Sequence, residues 1–237
     1  DIAPLEAVDE LDVSYVSNIS QFGDPDVVII PGSKNTISDL LWMRQNGLEG
    51  KILRHAAKGG IVFGICGGYQ MLGQSISDPT GAEQKGTVRG MGLLPVTTVF
   101  EQEKRRTRVS GRFAKVGGAL AEMSGVCYEG YEIHMGRTVL SKGTVPLVYM
   151  EEEGEQRQDG AQSDHVYGCY MHGIFDMSET VKTFLAAVLR KKGIDPSKIT
   201  VRDRNAYKEE QYDKLADIIR ENLDMKMVYE IIERGGK

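Results

Sequence analysis

The sequence predicts an α/β protein: a doubly wound, mostly parallel sheet flanked by helices and carrying an antiparallel extension. Two apolar runs and the segments behind them predict it. Asp26-Val27-Val28-Ile29-Ile30 is stopped by Pro31-Gly32, and Ile61-Val62-Phe63 is stopped by Gly64. Runs this short and this uniformly apolar suit strands buried on both faces, as parallel strands are. Each is followed by residues at helical spacing, and strands alternating with helices build a sheet whose ligands gather at the carboxyl ends of its strands.

Taken in order, Val13 to Val16 is a β-branched and aromatic run that predicts a strand, and Asp26 to Ile30 predicts the next. After PGSKNT, the segment Ile37 to Asn46 sets Ile37, Leu40, Leu41 and Met43 near one helical stripe, with Gly47 as the stop. A second helix is expected over Leu48 to Lys58, ending at Gly59-Gly60. The strand Ile61 to Phe63 then leads through GICGG into a helix beginning near Tyr69. From Gly86 to Val148 the pattern changes to short β-prone runs at 92–100, 107–113, 126–133 and 145–150, which predict an antiparallel or mixed extension of the same sheet. Residues 151–164 are polar, acidic and without apolar periodicity, and read as an exposed loop. A strand over Val166 to Met171 and a helix over Ser178 to Lys192 follow, the latter carrying Val181, Phe184, Leu185, Val188 and Leu189. Tyr212 to Arg234 reads as an amphipathic helix or helix pair. The expectation is a single domain over 1–237, with 207–237 as a separable helical tail.

Composition narrows the function. With 237 residues, 41% of them apolar, the chain can bury a substantial core. A net charge of −5 with no basic stripe disfavours nucleic acid. No apolar stretch approaches the roughly 18 to 20 residues that span a bilayer, and the acidic start DIAPLEAVDELDV is unlike a signal peptide, so a cytoplasmic protein away from membranes is expected. The chain opens without an initiator methionine, so a fragment or a processed chain is expected. Cys66, Cys127 and Cys169 are an odd number without a CxxC pair, which argues against a disulfide framework and a structural metal site. Neither GxxxxGK[ST] nor GxGxxG occurs, so no nucleotide cofactor site is expected in this chain.

Gly64-Ile65-Cys66-Gly67-Gly68, between a strand and a helix, fits the nucleophile-elbow pattern G-x-C-x-G, in which small neighbours let a sharp turn push the reactive side chain outward. The positive end of a following helix and a nearby imidazole would favour the attacking thiolate. A lone cysteine is otherwise a small core residue. The elbow spacing, the apolar strand before it and the Gln70-Met71-Leu72 continuation favour a nucleophile. Of the four histidines, His172 ends the strand-like run Tyr167 to Met171, which brings it to the same sheet edge as Cys66 and makes it the candidate base. His55, in the charged helix KILRHAAK, reads as a surface residue, and His165 has no assigned role. His134, in GYEIHMGR with Tyr131, Glu132 and Arg137, is either part of a polar site or a solvated strand end.

GICGGYQMLG with a distant histidine resembles the class I, or triad, glutamine amidotransferases, with their flavodoxin-like α/β fold. PGSKNTISDL, GICGGYQMLG, GYEIHMGRT and YMHGIFD together resemble the C-terminal glutaminase domain of the cobyric acid synthases, and the tail KLADIIRENLDM is similar too. The resemblance implies that glutamine is hydrolysed here and that ammonia passes to an ATP-dependent synthetase domain absent from this chain, where ATP and magnesium serve the amidation of adenosylcobyrinic acid a,c-diamide. It implies Cys66 and His172 as the catalytic pair, an oxyanion hole from the N–H of Gly67 and of Gly32 or Ser33, and glutamine binding by Gln70, Arg137 and His134. Many class I relatives place Glu two residues after the histidine, but position 174 is Ile. Asp176 nearby is expected to cap the next helix rather than orient His172. The other acceptors of this group, in cobyrinic acid a,c-diamide synthesis or peptidoglycan-precursor amidation, fit the PGSKNT loop less well. A catalytically idle docking domain is disfavoured by the intact Cys66 and His172.

Overall fold

The computed structural model describes residues 1–152, 155–201 and 204–235; the expected loop at 153–154 and the tail end at 236–237 lie outside the described residues. A one-turn helix, α1 (Ala3–Glu6), opens the chain and anchors it by sinking Leu5 and Val8 into the core. Val13 to Val16 form no strand. β-branched residues supply propensity, but a strand also needs a neighbour to pair with, and Tyr15 points into solvent. β1 (Val27–Ile30), α2 (Thr36–Gln45), α3 (Leu48–Ala57), β2 (Ile61–Ile65) and α4 (Gly67–Leu72) then follow in the expected order. Next come β3 (Ser75–Asp78), β4 (Gly86–Arg89), the long β5 (Val96–Phe113), β6 (Cys127–Leu140) and β7 (Val148–Glu152). β8 (Glu155–Asp159), β9 (Ala161–Ser163), β10 (Val166–Cys169), α5 (Ser178–Lys191), α6 (Arg204–Asn222) and α7 (Met225–Gly235) complete the chain.

Among the described residues the strands form two sheets. In the first, ordered β1-β2-β10-β9, β2 lies between parallel neighbours and is buried throughout, while β9 runs antiparallel. β1 is the edge strand and only partly covered, so its uniformly apolar run overstated its burial. The register Gly168 opposite Gly64 and Cys169 opposite Ile65 carries the ends of β2 and β10 to the same edge. Phe63, Phe175 and Phe184 pack their rings together beneath that edge and fix α5 against the sheet. Among the described residues no helix is long and apolar enough to cross a membrane.

The middle of the chain does not extend this sheet. It builds a second one, β4-β3-β5-β7-β8 with β6 on β5, in which only β3 and β5 pair in parallel. β5 and β6 run far past the ends of their neighbours as a ribbon with a register shift between Val99 and Lys104. Among the described residues, one β-bridge, Tyr131 to His172, joins the ribbon to the chain leaving the first sheet. Much of the expected loop at 151–164 is strand instead: β8 and β9 escape an apolar-pattern reading because β8 is a sheet edge with Glu155, Gln156 and Gln158 in solvent, where charge blunts further pairing. His55 is likewise not a surface residue; its Nε2 bonds Ile61 O at 3.1 Å and its ring meets the edge of Phe22. The tail is two helices whose Leu215, Ile218, Ile231 and Ile232 are exposed, as is Leu223 between them.

Candidate active site

Cys66 sits between β2 and α4 with φ 51° and ψ −109°, a conformation L-residues rarely hold. Three features fix it there. Its N–H donates to Cys169 O at 2.9 Å, its carbonyl accepts from Gln70 N at 3.1 Å, and Gly68 behind it lets α4 pack directly on the end of β1. A Cβ on Gly68 would stand 2.0 Å from Ile30 O, so only glycine permits that approach. Strain of this kind concentrates at functional sites and costs on the order of 1–3 kcal/mol. Cys66 is 6% exposed and its thiol lies 3.7 Å from Ile133 O on β6, so the second sheet walls the site with main chain.

His172 follows β10 and reaches the same spot. A Cβ on Gly32 would lie 3.6 Å from both Cys66 Cβ and His172 Nε2, and 2.8 Å from His172 Cε1, which brings the PGS loop, the thiol and the ring together. His172 Nδ1 is 2.8 Å from Asp1 Oδ2. A carboxylate only accepts, so Nδ1 carries a hydrogen, and Nε2 faces the Gly32 and Cys66 side. The Tyr131 ring stacks on the imidazole, centroids 5.1 Å apart, and its main chain exchanges two hydrogen bonds with that of His172 at 2.9 and 3.0 Å. Ile174 is fully buried. Met177, not Asp176, is the N-cap of α5, and it makes no side-chain cap: the chain enters that helix extended at 177.

Gly67 follows Cys66, and a Cβ there would stand 2.8 Å from Ser33 N, so the two loops expected to supply oxyanion donors touch. The Ser33 hydroxyl is held within its own loop, donating to Asp39 and accepting from Asn35 N, which leaves the main chain for that task. Gln70 is buried, with its amide donating to Met135 O and Tyr170 OH, each at 3.1 Å, while its oxygen accepts from Thr36 Oγ1. It ties α4 to β6 and to the strand end. His134 lies face to face with Tyr170, centroids 3.6 Å apart, and donates from Nδ1 to Gly136 O. Its other nitrogen is 3.6 Å from Glu132 Oε1. Arg137 is exposed farther along β6, opposite Val99. Two side chains carry no motif: Asp1, 171 positions from His172, and Glu83, whose half-buried carboxylate accepts from Thr36 Oγ1 and Ile37 N at the start of α2. Glu83 is presented by a turn whose N–H groups, Gly81 through Gln84, all donate to Asp78.

The strand end leading to His172 is anchored by Asp159, which accepts from Tyr170 N at 2.8 Å. Burial, and then the nearby Glu132 charge, push the Asp159 carboxyl up to about 6. An acid held above its unfolded value keeps a proton that the unfolded chain has already released. Its stabilising effect is therefore complete below about pH 4 and is lost as pH rises to about 6. Asp159→Asn should flatten the pH dependence of stability across that window by roughly 3 kcal/mol. Melting curves of both proteins at pH 4.5 and 7 check this. Burial also pushes the Cys169 thiol well up, which disfavours the attacking thiolate there.

Residues 1–180 match the family described as CobB/CobQ-like glutamine amidotransferase domain. A cobyric acid synthase of Ruminiclostridium cellulolyticum is 50% identical over 99% of this chain and 46% of that relative. One of Lachnoclostridium phytofermentans is 43% identical over 99% of this chain and 48% of that relative. The chain thus spans about half the length of the curated relatives it matches. Among solved structures, a glutamine amidotransferase covers 79% of this chain and 89% of its own at TM-score 0.55 and 16% identity. PurLQS from Thermotoga maritima covers 76% and 85% at TM-score 0.55 and 19% identity. At such identities these two bear on the fold, a class I amidotransferase α/β sheet.

Proposed function

Because the chain belongs to the CobB/CobQ-like glutamine amidotransferases, enzymes that hydrolyse glutamine, we propose that Cys66 carries the reaction as a γ-glutamyl thioester. The Cys66 thiolate attacks the side-chain carbonyl of glutamine, and the oxyanion is met by the N–H groups of Gly67 and of Gly32 or Ser33. Each such donor contributes on the order of 3 kcal/mol of transition-state stabilisation. His172 takes the thiol proton on Nε2 and returns it to the departing ammonia. It then deprotonates water, which cleaves the thioester and releases glutamate. The observation that carries this reading is the strained Cys66 beside His172 Nε2 across Gly32. Exposed Arg137 is the cation for the α-carboxylate and Glu83 the acceptor for the α-ammonium. Gln70 and His134 act on the substrate through the walls they hold.

The ammonia goes to an ATP-dependent synthetase domain, where ATP and magnesium drive amidation of adenosylcobyrinic acid a,c-diamide to cobyric acid in cobalamin biosynthesis; this chain itself needs no cofactor. Support for that acceptor is the identity to cobyric acid synthases across the whole chain. Trapping with 6-diazo-5-oxo-norleucine, a glutamine-like electrophile, followed by mass mapping, tests the site. The label is expected on Cys66 alone, with glutamine protecting. Label on Cys127 instead would overturn the assignment, since Cys127 is exposed and no elbow presents it.

A further inference from the structure

We infer that Asp1 is the positioning carboxylate of the active site, the group that fixes the tautomer and orientation of His172. The inference rests on the glutaminase reading above. Both oxygens of Asp1 are engaged: Oδ2 accepts from His172 Nδ1 and Oδ1 from Gly173 N, each at 2.8 Å. A two-point grip sets the plane of the carboxylate against the turn at 172–173, where a single bond would leave it free to rotate. The two side chains are 13% and 14% exposed, so the pair is largely shielded from water and from competing ions.

The acid does not arrive on a loose end. Two residues on, α1 begins, and Leu5 and Val8 are 4% and 2% exposed in the main core. Two residues after the histidine, Ile174 is apolar and wholly inside the core, so that position offers the imidazole no carboxylate. On the side away from the thiol, then, the imidazole meets Asp1 at its Nδ1 and the Tyr131 ring along one face. Held this way, Nε2 is the only nitrogen able to take the thiol proton, and Asp1 stabilises the imidazolium that forms when it does.

Asp1→Ala and the shape-keeping Asp1→Asn, each in the full chain, test the inference with two independent readouts. The first is the 15N spectrum of His172: the parent protein is expected to show the Nδ1–H tautomer, and Asp1→Ala the loss of it. The second is glutamate release, with kcat expected to fall at least roughly 100-fold while KM for glutamine stays near the parent value. Formate should restore part of the lost kcat in Asp1→Ala and do nothing to the parent, which a merely structural role would not show. A persisting Nδ1–H tautomer, or an unchanged kcat in both variants, overturns the inference. If the parent neither releases glutamate nor takes label on Cys66, the glutaminase reading has failed, and the tautomer spectrum still decides the part played by Asp1.

Discussion

Cys66→Ala is expected to reduce glutamine hydrolysis by on the order of 10⁴-fold or more, because the proposed thioester forms on the Cys66 sulfur. The fold should survive, since the substitution removes one sulfur and keeps the Cβ. Cys66→Gly separates chemistry from strain. It is equally inactive, but at φ 51° a glycine sits without the clash that cysteine bears, so stability should rise by up to about 1 kcal/mol despite the extra freedom of the unfolded chain. Glutamate release measured beside chemical melts gives both answers. Residual turnover in either variant would mean a different nucleophile, and a lower stability for Cys66→Gly than for Cys66→Ala would mean that the bend carries no strain.

The second large effect is on the fold itself. Gly68→Ala sets a methyl group 2.0 Å from Ile30 O, 2.6 Å from Ile30 C and 2.9 Å from Pro31 O, all of them main-chain atoms that cannot rotate away. Either α4 lifts off the sheet or the end of β1 moves, at a cost on the order of 3 kcal/mol. Because β1 runs straight into the PGS loop, the same displacement reaches the proposed oxyanion donors Gly32 and Ser33. Loss of stability and of kcat together is therefore expected, measured by urea melts and initial rates. A stable Gly68→Ala protein would refute the close approach.

The elbow and its histidine were legible in the sequence because each is announced locally. GICGG carries its own turn chemistry, and Tyr167 to Met171 is a strand whose end must fall beside that of Ile61 to Ile65 once both run parallel. The helices over α2, α3 and α5 were legible for the same reason, from apolar spacing. What escaped was non-local or lacked an apolar signal. Asp1 meets His172 across almost the whole chain, and nothing in its neighbours marks it. β8 has the composition of a loop because it is a charged edge. Four β-prone runs between 92 and 150 could be recognised as strands, but run composition does not say which partner a strand chooses, so a second sheet was read as a continuation of the first.

The ribbon over Cys66 has a consequence for how such a protein can vary. At Ile133 it is a carbonyl that faces the sulfur, and at Tyr131 two amide-to-carbonyl links hold the histidine in place. Any residue with an ordinary backbone can supply those atoms, so the identity of the side chain at 133 is free to drift over generations without disturbing the acceptor. The exception is proline at 131, which has no amide hydrogen to give and would unfasten the ribbon from the histidine in a single step.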